Sequence, residues 1–252
     1  MRYEEFGSEN GEVILLLHGG GLSWWNYREE AGLLKDEFRV ILPVLDGHAG
    51  SGRPFTSIED NASHLLSFID EKCGGKVLFA GGLSLGGQVL LEMLCQRPDL
   101  CRYAIVESAS VLPSKLTNAL IGPSVRSSFG LIKNERFARL QFSSLHMREE
   151  LFDDYYRDTC LIREQDMVAF MKASTSYALK PSFKDTDASV HVYAGEKETK
   201  EILRSAEAVV RARPSCGLHV LSGLRHGEFS LNHPDMYADA VRNIVLRKQE
   251  ET

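Results

Sequence analysis

The chain has 252 residues, 43% of them hydrophobic, and carries a formal net charge of −6 at pH 7. That length and apolar content allow one large core, so we expect a single domain with an insertion and not two domains. The acidic balance and the lack of a basic cluster argue against nucleic acid and against an anionic membrane surface as partners. The five cysteines are scattered and odd in number, which is typical of reduced thiols and not of a disulfide framework or a zinc site.

Targeting and cofactor signals are also missing from the sequence. The first six residues contain no apolar signal core, and no stretch approaches membrane-spanning length, so we expect a cytoplasmic protein. Histidines and carboxylates do not recur at metal-ligand spacing, which predicts that no metal is bound. Gly19-Gly20-Gly21 is not followed by the Lys-Ser/Thr of a phosphate loop, and we expect no cofactor.

Up to about residue 110, buried-strand patterns alternate with helical ones. Val13–Leu17 is a continuous apolar run, as is typical of a strand that is covered on both faces. Ser57 and Asp60 resemble a helix cap, and Gly74-Gly75 would close the same helix. Strands are predicted at residues 2–6, 13–17, 38–44, 77–80 and 103–106, and helices at 26–36, 58–73 and 85–96. This alternation predicts a parallel, doubly wound α/β sheet.

The alternation stops between Val111 and Asp187. This stretch is rich in Phe, Tyr and Met at helical spacing and contains no convincing buried strand, so we predict a helical insertion over the carboxyl edge of the sheet. The alternation resumes with strands at 189–194 and 218–221 and helices at 199–211 and 234–248. The predicted division is a core formed by residues 1–111 and 187–252, with a helical cap at 112–186.

The segment around Ser84 carries the strongest functional signal. Gly82, Ser84 and Gly86 form the pattern Gly-x-Ser-x-Gly between an apolar strand and a helix. A sharp strand-to-helix turn needs small residues two positions on either side, because larger side chains would collide with the neighbouring strand and helix. Such a turn raises the serine hydroxyl above the sheet edge, beside the free N–H groups of the helix amino terminus. This geometry suits a nucleophilic serine.

A serine nucleophile needs a base, and the base needs a carboxylate that orients it. In a parallel sheet these groups should follow the carboxyl ends of strands. Glu198 and His226 follow two later predicted strands, in the chain order serine, acid, histidine that this arrangement uses. Two other carboxylates remain open as the acid: Glu107, which ends the strand after the nucleophile helix, and the less favoured Glu196.

Together these motifs resemble the α/β-hydrolase superfamily, and they extend over nearly the whole chain apart from the insertion. The segments that carry the resemblance are His18-Gly19-Gly20-Gly21, Asp46-Gly47-His48, Gly82–Gly86, Gly195–Glu198 and Gly223–Gly227. The resemblance implies an α/β fold with a doubly wound, mostly parallel sheet and a helical cap insertion. It also implies Ser84 as nucleophile, His226 as base and Glu198 as acid, although the family more often carries aspartate at the last of these positions.

The loop after the first buried strand offers the remaining parts of a site. The backbone N–H groups of Gly20 and Leu85 are predicted to form an oxyanion hole, since preorganised donors in a dry site stabilise a developing negative charge. Trp24 and Trp25 follow this loop. They are predicted as substrate-pocket residues, with packing under the insertion as the equal alternative.

The sequence therefore predicts a serine hydrolase that cleaves a small-molecule acyl substrate, a carboxylic ester or thioester. Serine at position 84 argues against the dehalogenase and epoxide-hydrolase branches, which use aspartate there. Two alternatives stay open: a lyase, C–C bond hydrolase or perhydrolase with the same triad, and a small-molecule receptor that has kept the triad. A basic cluster facing Ser84 would favour the lyase, and the candidates in the insertion are Arg126, Lys133, Arg136 and Arg139.

Overall fold

The computed structural model describes residues 1–246, which form one seven-stranded sheet. The strands are β1 Tyr3–Phe6, β2 Val13–Leu17, β3 Arg39–Pro43, β4 Val77–Leu83, β5 Cys101–Glu107, β6 Ser189–Gly195 and β7 Gly217–Leu221. Their order in the sheet is β1-β3-β2-β4-β5-β6-β7. β1 runs antiparallel to β3, and every other pairing is parallel. The predicted doubly wound, mostly parallel α/β sheet is confirmed.

Helices connect and cover these strands. They are α1 Arg28–Leu34, α2 Ile58–Cys73, α3 Leu85–Gln96, α4 Lys115–Ile132, α5 Glu135–Ser144, α6 Phe152–Leu161, α7 Glu164–Ser176, α8 Lys200–Ala212, α9 Glu228–Asn232 and α10 Pro234–Leu246. Short 3₁₀ turns lie at Trp24–Tyr27, Glu149–Leu151 and Pro181–Asp185. Four helices, α4 to α7, follow one another between β5 and β6.

The topology creates a crevice at the centre of the sheet. β2 and β4 are neighbours, and Leu17 pairs with Gly82 at their carboxyl ends. The chain leaves β2 for β3 on one side and then crosses to β4 on the other, so the loops after β2 and β4 diverge. Such a switch point is where open α/β sheets bind their ligands.

Both faces of the sheet are buried, as the apolar run in β2 predicts. Ile14 and Leu16 belong to the core that includes residues of α1 and α10, whereas Leu15 and Leu17 belong to the core that includes residues of α2 and α3. Successive side chains of a strand point to opposite faces, so one short run of apolar residues supplies both cores. Because a core covers each face of the sheet, the strand ends and the crevice between them are held in a fixed arrangement.

Several boundaries differ from the predicted ones. β4 continues through Gly81 and Gly82 to Leu83, three residues beyond the predicted strand at 77–80. A Cβ at Gly81 would lie 2.3 Å from the hydroxyl oxygen of Tyr237, so this glycine is required by close packing and not by a turn. The five-residue α9 has no periodic sequence signal, and the last two residues of the helix predicted at 234–248 lie outside the described residues.

The helical segment between β5 and β6 is attached to the rest of the structure by polar contacts. The indole Nε1–H of Trp25 donates to Asp158 in α6 at 2.8 Å, and the Phe55 N–H donates to Asp166 in α7 at 3.0 Å. Both carboxylates are buried, so these bonds are shielded from water. The division into core and cap at 112 and 186 stays a prediction. Among residues 1–246, no helix combines the length and apolarity needed to cross a membrane.

Candidate active site

Ser84 lies in a strained turn between β4 and α3. Its φ of 51° and ψ of −110° place it in a backbone region that L-residues rarely adopt. The Ser84 N–H donates to the carbonyl of Glu107 at 2.8 Å, which anchors the turn to the end of β5. A Cβ at Gly82 would lie 2.5 Å from the carbonyl oxygen of Gly86, and one at Gly86 would lie 2.2 Å from that of Leu17. Only glycines at these two positions let the turn pack against β2.

His226 connects Ser84 to a carboxylate. It follows β7, and its Nε2 lies 3.1 Å from the Ser84 Oγ, while its Nδ1 lies 3.0 Å from Glu198 Oε2. A carboxylate can only accept, so the Nδ1–H donates to Glu198 and Nε2 is left to accept the serine proton. About half of the His226 side chain is exposed, whereas the Glu198 side chain is 1% exposed. The three side chains form one hydrogen-bonded series that ends at a cavity.

Glu198 has a second partner that the sequence did not suggest. The hydroxyl of Ser108, just after β5, donates to Glu198 Oε1. Ser108 has a φ of 53°, and its N–H donates to the Tyr193 carbonyl at 2.9 Å. With one oxygen bonded to Ser108 and the other to His226, the buried carboxylate of Glu198 is satisfied on both sides. No motif marks Ser108, because only the pairing of β5 with β6 brings it near Glu198.

Glu107, the first alternative acid, lies in the same region but does not bond to His226. Its side chain is buried, and Oε1 accepts from the Ser230 N–H at 3.3 Å. Oε2 has no hydrogen-bond partner within residues 1–246. Burial raises the pKa of Glu107 to about 7, against the lowering effect of its hydrogen bonds with Ser230. Glu107 is therefore a carboxyl that exchanges its proton near neutrality.

Glu196, the second alternative, is exposed and bonds to residues of the turn after β7. Its Oε2 accepts from the Ser222 hydroxyl at 2.9 Å and from the Gly223 N–H at 2.8 Å. It thus supports the turn after β7. Of the three carboxylates considered from the sequence, Glu198 is the one whose oxygen lies within hydrogen-bond distance of His226 Nδ1.

The charges around His226 set its basicity. Desolvation alone would lower the pKa of His226. The hydrogen bond to Glu198 and the negative charges of Glu198 and Glu107 act in the opposite direction, and the net effect is a raised pKa. A more basic imidazole is a better acceptor for a serine proton.

Two free backbone donors flank the serine. Leu85 opens α3, so its N–H belongs to the helix's first turn and has no intrahelical acceptor. Gly20 lies in the loop after β2, and its N–H has no acceptor within residues 1–246. A Cβ at Gly20 would lie 3.6 Å from the Leu85 Cβ, so the two residues are in contact. Both groups are available to an oxygen bound between them.

Two buried histidines hold the Gly20 loop. His18 Nε2 accepts from the Leu45 N–H, and His48 Nε2 accepts from the Gly21 N–H, each at 3.0 Å. Burial lowers the pKa of both, that of His48 to about 4. Both rings are therefore neutral near pH 7 and act as acceptors, which fixes the loop that carries Gly20.

A small apolar cavity of about 90 Å³ opens at Ser84. Besides Ser84 and His226, it is lined by Gly19, Gly20, Leu22, Leu83, Leu145, Met147 and Leu231. Leu145 and Met147 come from the helical segment between β5 and β6, more than sixty positions away from Ser84 in the chain. Sequence reasoning missed these two because nothing in the local pattern relates them to the serine.

Among residues 1–246, neither of the two tryptophans belongs to the lining of this cavity, and their place in a substrate pocket stays a prediction. Trp25 is buried and bonds to Asp158, so it packs under the helical segment. Trp24 lies beside Arg28, whose guanidinium is 5.9 Å from the indole centroid. The 3₁₀ turn at Trp24–Tyr27 directs these side chains to the α1 side of the sheet and not into the crevice.

No metal-binding cluster accompanies the site. Within residues 1–246, no three His, Cys, Asp or Glu side chains are arranged so that they could hold a metal ion. The chemistry available in the cavity is that of a hydroxyl, an imidazole, a carboxylate and backbone N–H groups. Such a set can transfer an acyl group through a covalent serine ester.

Comparison with known proteins gives the family. The sequence matches the alpha/beta hydrolase family over residues 14–240. The chain belongs to this family. Among its relatives, lipase 1 of Psychrobacter immobilis is 28% identical over 145 residues, which cover 56% of this chain and 45% of that protein. The thermostable monoacylglycerol lipase of Bacillus sp. strain H-257 is 30% identical over 119 residues, 44% of this chain and 46% of that protein.

The aligned regions span less than half the length of these curated relatives. Solved structures resemble this protein over a larger share of the chain than the curated relatives do. A thermophilic esterase from Thermogutta terrifontis superposes with a TM-score of 0.78 at 20% identity, covering 98% of this chain and 93% of that chain. At this identity the likeness shows a shared hydrolase-family fold.

The packing of Gly86 yields a stability prediction. Gly86→Ala would press a Cβ against backbone oxygens of Leu17 and His18, at 2.2 and 2.6 Å, so the free energy of unfolding should fall by about 1–3 kcal/mol. Gly130→Ala is the matched control, because Gly130 lies in α4 with open space around it. That variant should gain up to about 1 kcal/mol. Urea unfolding measures both, and equal stabilities would contradict the packing argument.

The electrostatic role of Glu107 can be measured on His226 directly. A negative charge on Glu107 stabilises the imidazolium and raises the pKa of His226. Removing it by Glu107→Gln should therefore lower that pKa, so the ring should lose its proton at a lower pH. NMR titration of the His226 ring measures the midpoint. Glu228→Gln is the control, since Glu228 bonds to the Arg225 N–H at 2.7 Å and is not among the charges that raise the pKa of His226. Identical midpoints in the Glu107 variant and the unaltered protein would refute the coupling.

Proposed function

We propose that this protein is a serine hydrolase that cleaves a small carboxylic ester or thioester through an acyl-enzyme intermediate. The observation that carries the proposal is the hydrogen-bonded series from Ser84 through His226 to Glu198. Family membership and the lipase and esterase relatives support the hydrolase class. The triad roles rest on the geometry, because each group lies at the distance and in the order that the reaction needs.

The first half of the reaction forms the acyl-enzyme. The Ser84 Oγ attacks the substrate carbonyl carbon while its proton moves to His226 Nε2, 3.1 Å away. The carbonyl oxygen becomes an oxyanion, which accepts hydrogen bonds from the Gly20 and Leu85 N–H groups. When the tetrahedral intermediate collapses, the bond to the leaving oxygen or sulfur breaks, and His226 returns the proton to that atom.

The second half uses water. His226 Nε2 removes a proton from a water molecule as its oxygen attacks the acyl carbon of the Ser84 ester. The second tetrahedral intermediate is held by the same two N–H groups, and its collapse returns the proton to the Ser84 Oγ and releases the carboxylic acid. Glu198 holds the ring with Nδ1 protonated throughout, and Ser108 holds Glu198.

The cavity supports a short acyl group. Its volume is only about 90 Å³, and its side-chain walls beside Ser84 and His226 are leucine and methionine. Such walls gain from burying a few methylene or methyl groups and offer no partner to a charged chain. We therefore expect acyl chains of a few carbons to be preferred over long ones.

The lyase alternative finds no support at this cavity. No lysine or arginine within residues 1–246 belongs to the lining, so no side-chain cation there would hold an anionic substrate. Arg126, Lys133, Arg136 and Arg139, the candidates from the sequence, are exposed on the helical segment. No specific observation favours a C–C bond hydrolase, a perhydrolase or a small-molecule receptor either.

The test of the proposed function is an ester series. The purified protein should hydrolyse p-nitrophenyl acetate and butyrate faster than the octanoate, because the cavity is small. Ser84→Ala should lower kcat by about 10⁵-fold or more, since it removes the nucleophile. If a fluorophosphonate labels Ser84 but no ester is hydrolysed, the serine is reactive and its substrate belongs to another chemical class. Neither labelling nor turnover would overturn the proposal in favour of a receptor.

A second experiment separates the two carboxylates. Glu198→Gln removes the charge that holds His226 and should lower kcat by about 10⁴-fold. Glu107→Gln keeps the hydrogen bond that Ser230 donates, so its kcat should change by less than about tenfold. Steady-state kinetics at a fixed pH of 8 measures both. A larger loss in the Glu107 variant than in the Glu198 variant would reverse the assignment of the acid.

A further inference from the structure

Exposed apolar side chains are concentrated in one part of this protein. Six of the twelve large hydrophobic residues that are exposed within residues 1–246 lie between positions 112 and 145, namely Leu112, Leu116, Leu120, Leu131, Leu140 and Leu145. Single exposed leucines are ordinary on a protein surface, but a contiguous group marks an interaction site. Three of the six, Leu116, Leu120 and Leu131, lie on α4, whereas Leu145 lines the cavity at Ser84.

The geometry of α4 puts three of these leucines on one side. Leu116, Leu120 and Leu131 are 76%, 59% and 50% exposed. In an ideal helix of 3.6 residues per turn they fall within an arc of about 60°, and Pro123 interrupts α4 between Leu120 and Leu131. The opposite side is buried through Ile121, Val125 and Ile132, and α4 packs against α7. The exposed Ser124 and Ser127 also lie on this solvent side. The three leucines nevertheless leave more apolar surface in water than the packing of a surface helix requires.

Cations flank the leucines. Lys115, Arg126 and Lys133 lie within about 20° of one another around the helix axis, on one flank of the leucine stripe. α4 itself contains no Asp or Glu. The facing acid from α7 is Glu164, whose carboxylate is 3.9 Å from Arg126 Nε in an exposed pair. Such a pair is weak and leaves most of the positive potential in place.

The neighbouring helix adds to this charge. α5 carries Arg136 and Arg139, and Arg139 pairs with Glu135 and with Glu149. Residues 112–145 contain five lysines and arginines and one glutamate, a net charge of +4, whereas the whole chain carries −6. The average composition therefore conceals a local cationic, leucine-bearing surface. We call the side of α4 formed by Lys115, Leu116, Leu120, Arg126, Leu131 and Lys133 the α4 outer face.

We propose that the α4 outer face binds the surface of an anionic lipid bilayer. The leucines enter the boundary between headgroups and acyl chains, and the cations bind lipid phosphates, which is how a helix with an apolar face and a basic flank lies in a membrane interface. From the net charge of the whole chain, −6, we expected no binding to an anionic membrane surface, and the proposed site differs from that expectation. The local charge decides the interaction, because electrostatic attraction fades within a Debye length of about 10 Å.

A second copy of the chain fits this face less well. Closed dimers are mostly symmetric, so the same patch would meet itself. Lys115, Arg126 and Lys133 would then oppose the same three cations across the contact, and α4 has no acid to neutralise them. A bilayer with anionic headgroups supplies both the apolar layer and the opposite charge.

The test is co-sedimentation of the full chain with lipid vesicles. Ser84→Ala is introduced into every protein, so that binding is measured independently of the proposed hydrolysis. Vesicles of phosphatidylcholine with phosphatidylglycerol should bind the protein at least tenfold more tightly than phosphatidylcholine alone, and high salt should weaken the binding. Leu116→Gln with Leu120→Gln should reduce the affinity at least tenfold. Neutralising Lys115, Arg126 and Lys133 to glutamine should reduce it by about 100-fold.

Matched controls lie elsewhere on the surface. Leu161→Gln with Leu218→Gln removes two exposed leucines, 64% and 41% exposed, outside the α4 outer face. Neutralising the exposed Lys35, Lys184 and Lys200 changes the net charge by the same amount as the cation variant. These controls should retain binding, with thermal unfolding confirming that each variant is folded. Absent vesicle binding, equal losses in the controls, or self-association that the Leu116 and Leu120 variants abolish would each overturn the proposal.

Discussion

The arrangement of the whole site depends on a close approach of backbone to backbone around Ser84. The turn from β4 into α3 is strained at φ 51°, and it is held because the Ser84 N–H donates to the carbonyl of Glu107. Gly82 lets β4 and the start of α3 approach closely, and Gly86 lets the turn pack against the end of β2, since a Cβ at either position would strike a backbone oxygen. The same packing brings the Gly20 loop beside the first N–H groups of α3. The serine and both donors are thus products of one constraint.

Three strand ends then converge on this turn and create two different carboxyl environments. Glu198 is bonded on both oxygens, by Ser108 and His226, and holds the ring in one tautomer. Glu107 has one bonded oxygen and a pKa raised to about 7 by burial. One carboxylate therefore orients the histidine by contact, and the other acts on it only through charge.

The helical segment between β5 and β6 faces two ways. On its inner side Leu145 and Met147 close a small apolar cavity over Ser84, while Asp158 and Asp166 tie the segment to the sheet domain. On its outer side α4 exposes leucines and cations that nothing else in the described chain covers. The inner side lines the proposed substrate cavity, and the outer side carries the proposed surface for an anionic bilayer.

The sequence by itself determined the sheet and the three residues of the candidate triad. Continuous apolar runs such as Val13–Leu17 mark strands buried on both faces, and Ser84, Glu198 and His226 could be selected because each follows a predicted strand in the chain order that a triad uses. Only the tertiary structure decided which carboxylate touches His226, because Glu107 ends β5 and Glu198 follows the neighbouring β6, and only their hydrogen-bond partners tell them apart. It alone placed Ser108, Leu145 and Met147, and it moved Trp25 away from the cavity to Asp158. The physical reason is that periodicity encodes which face of an element is buried, whereas contacts between distant segments depend on how the elements pack.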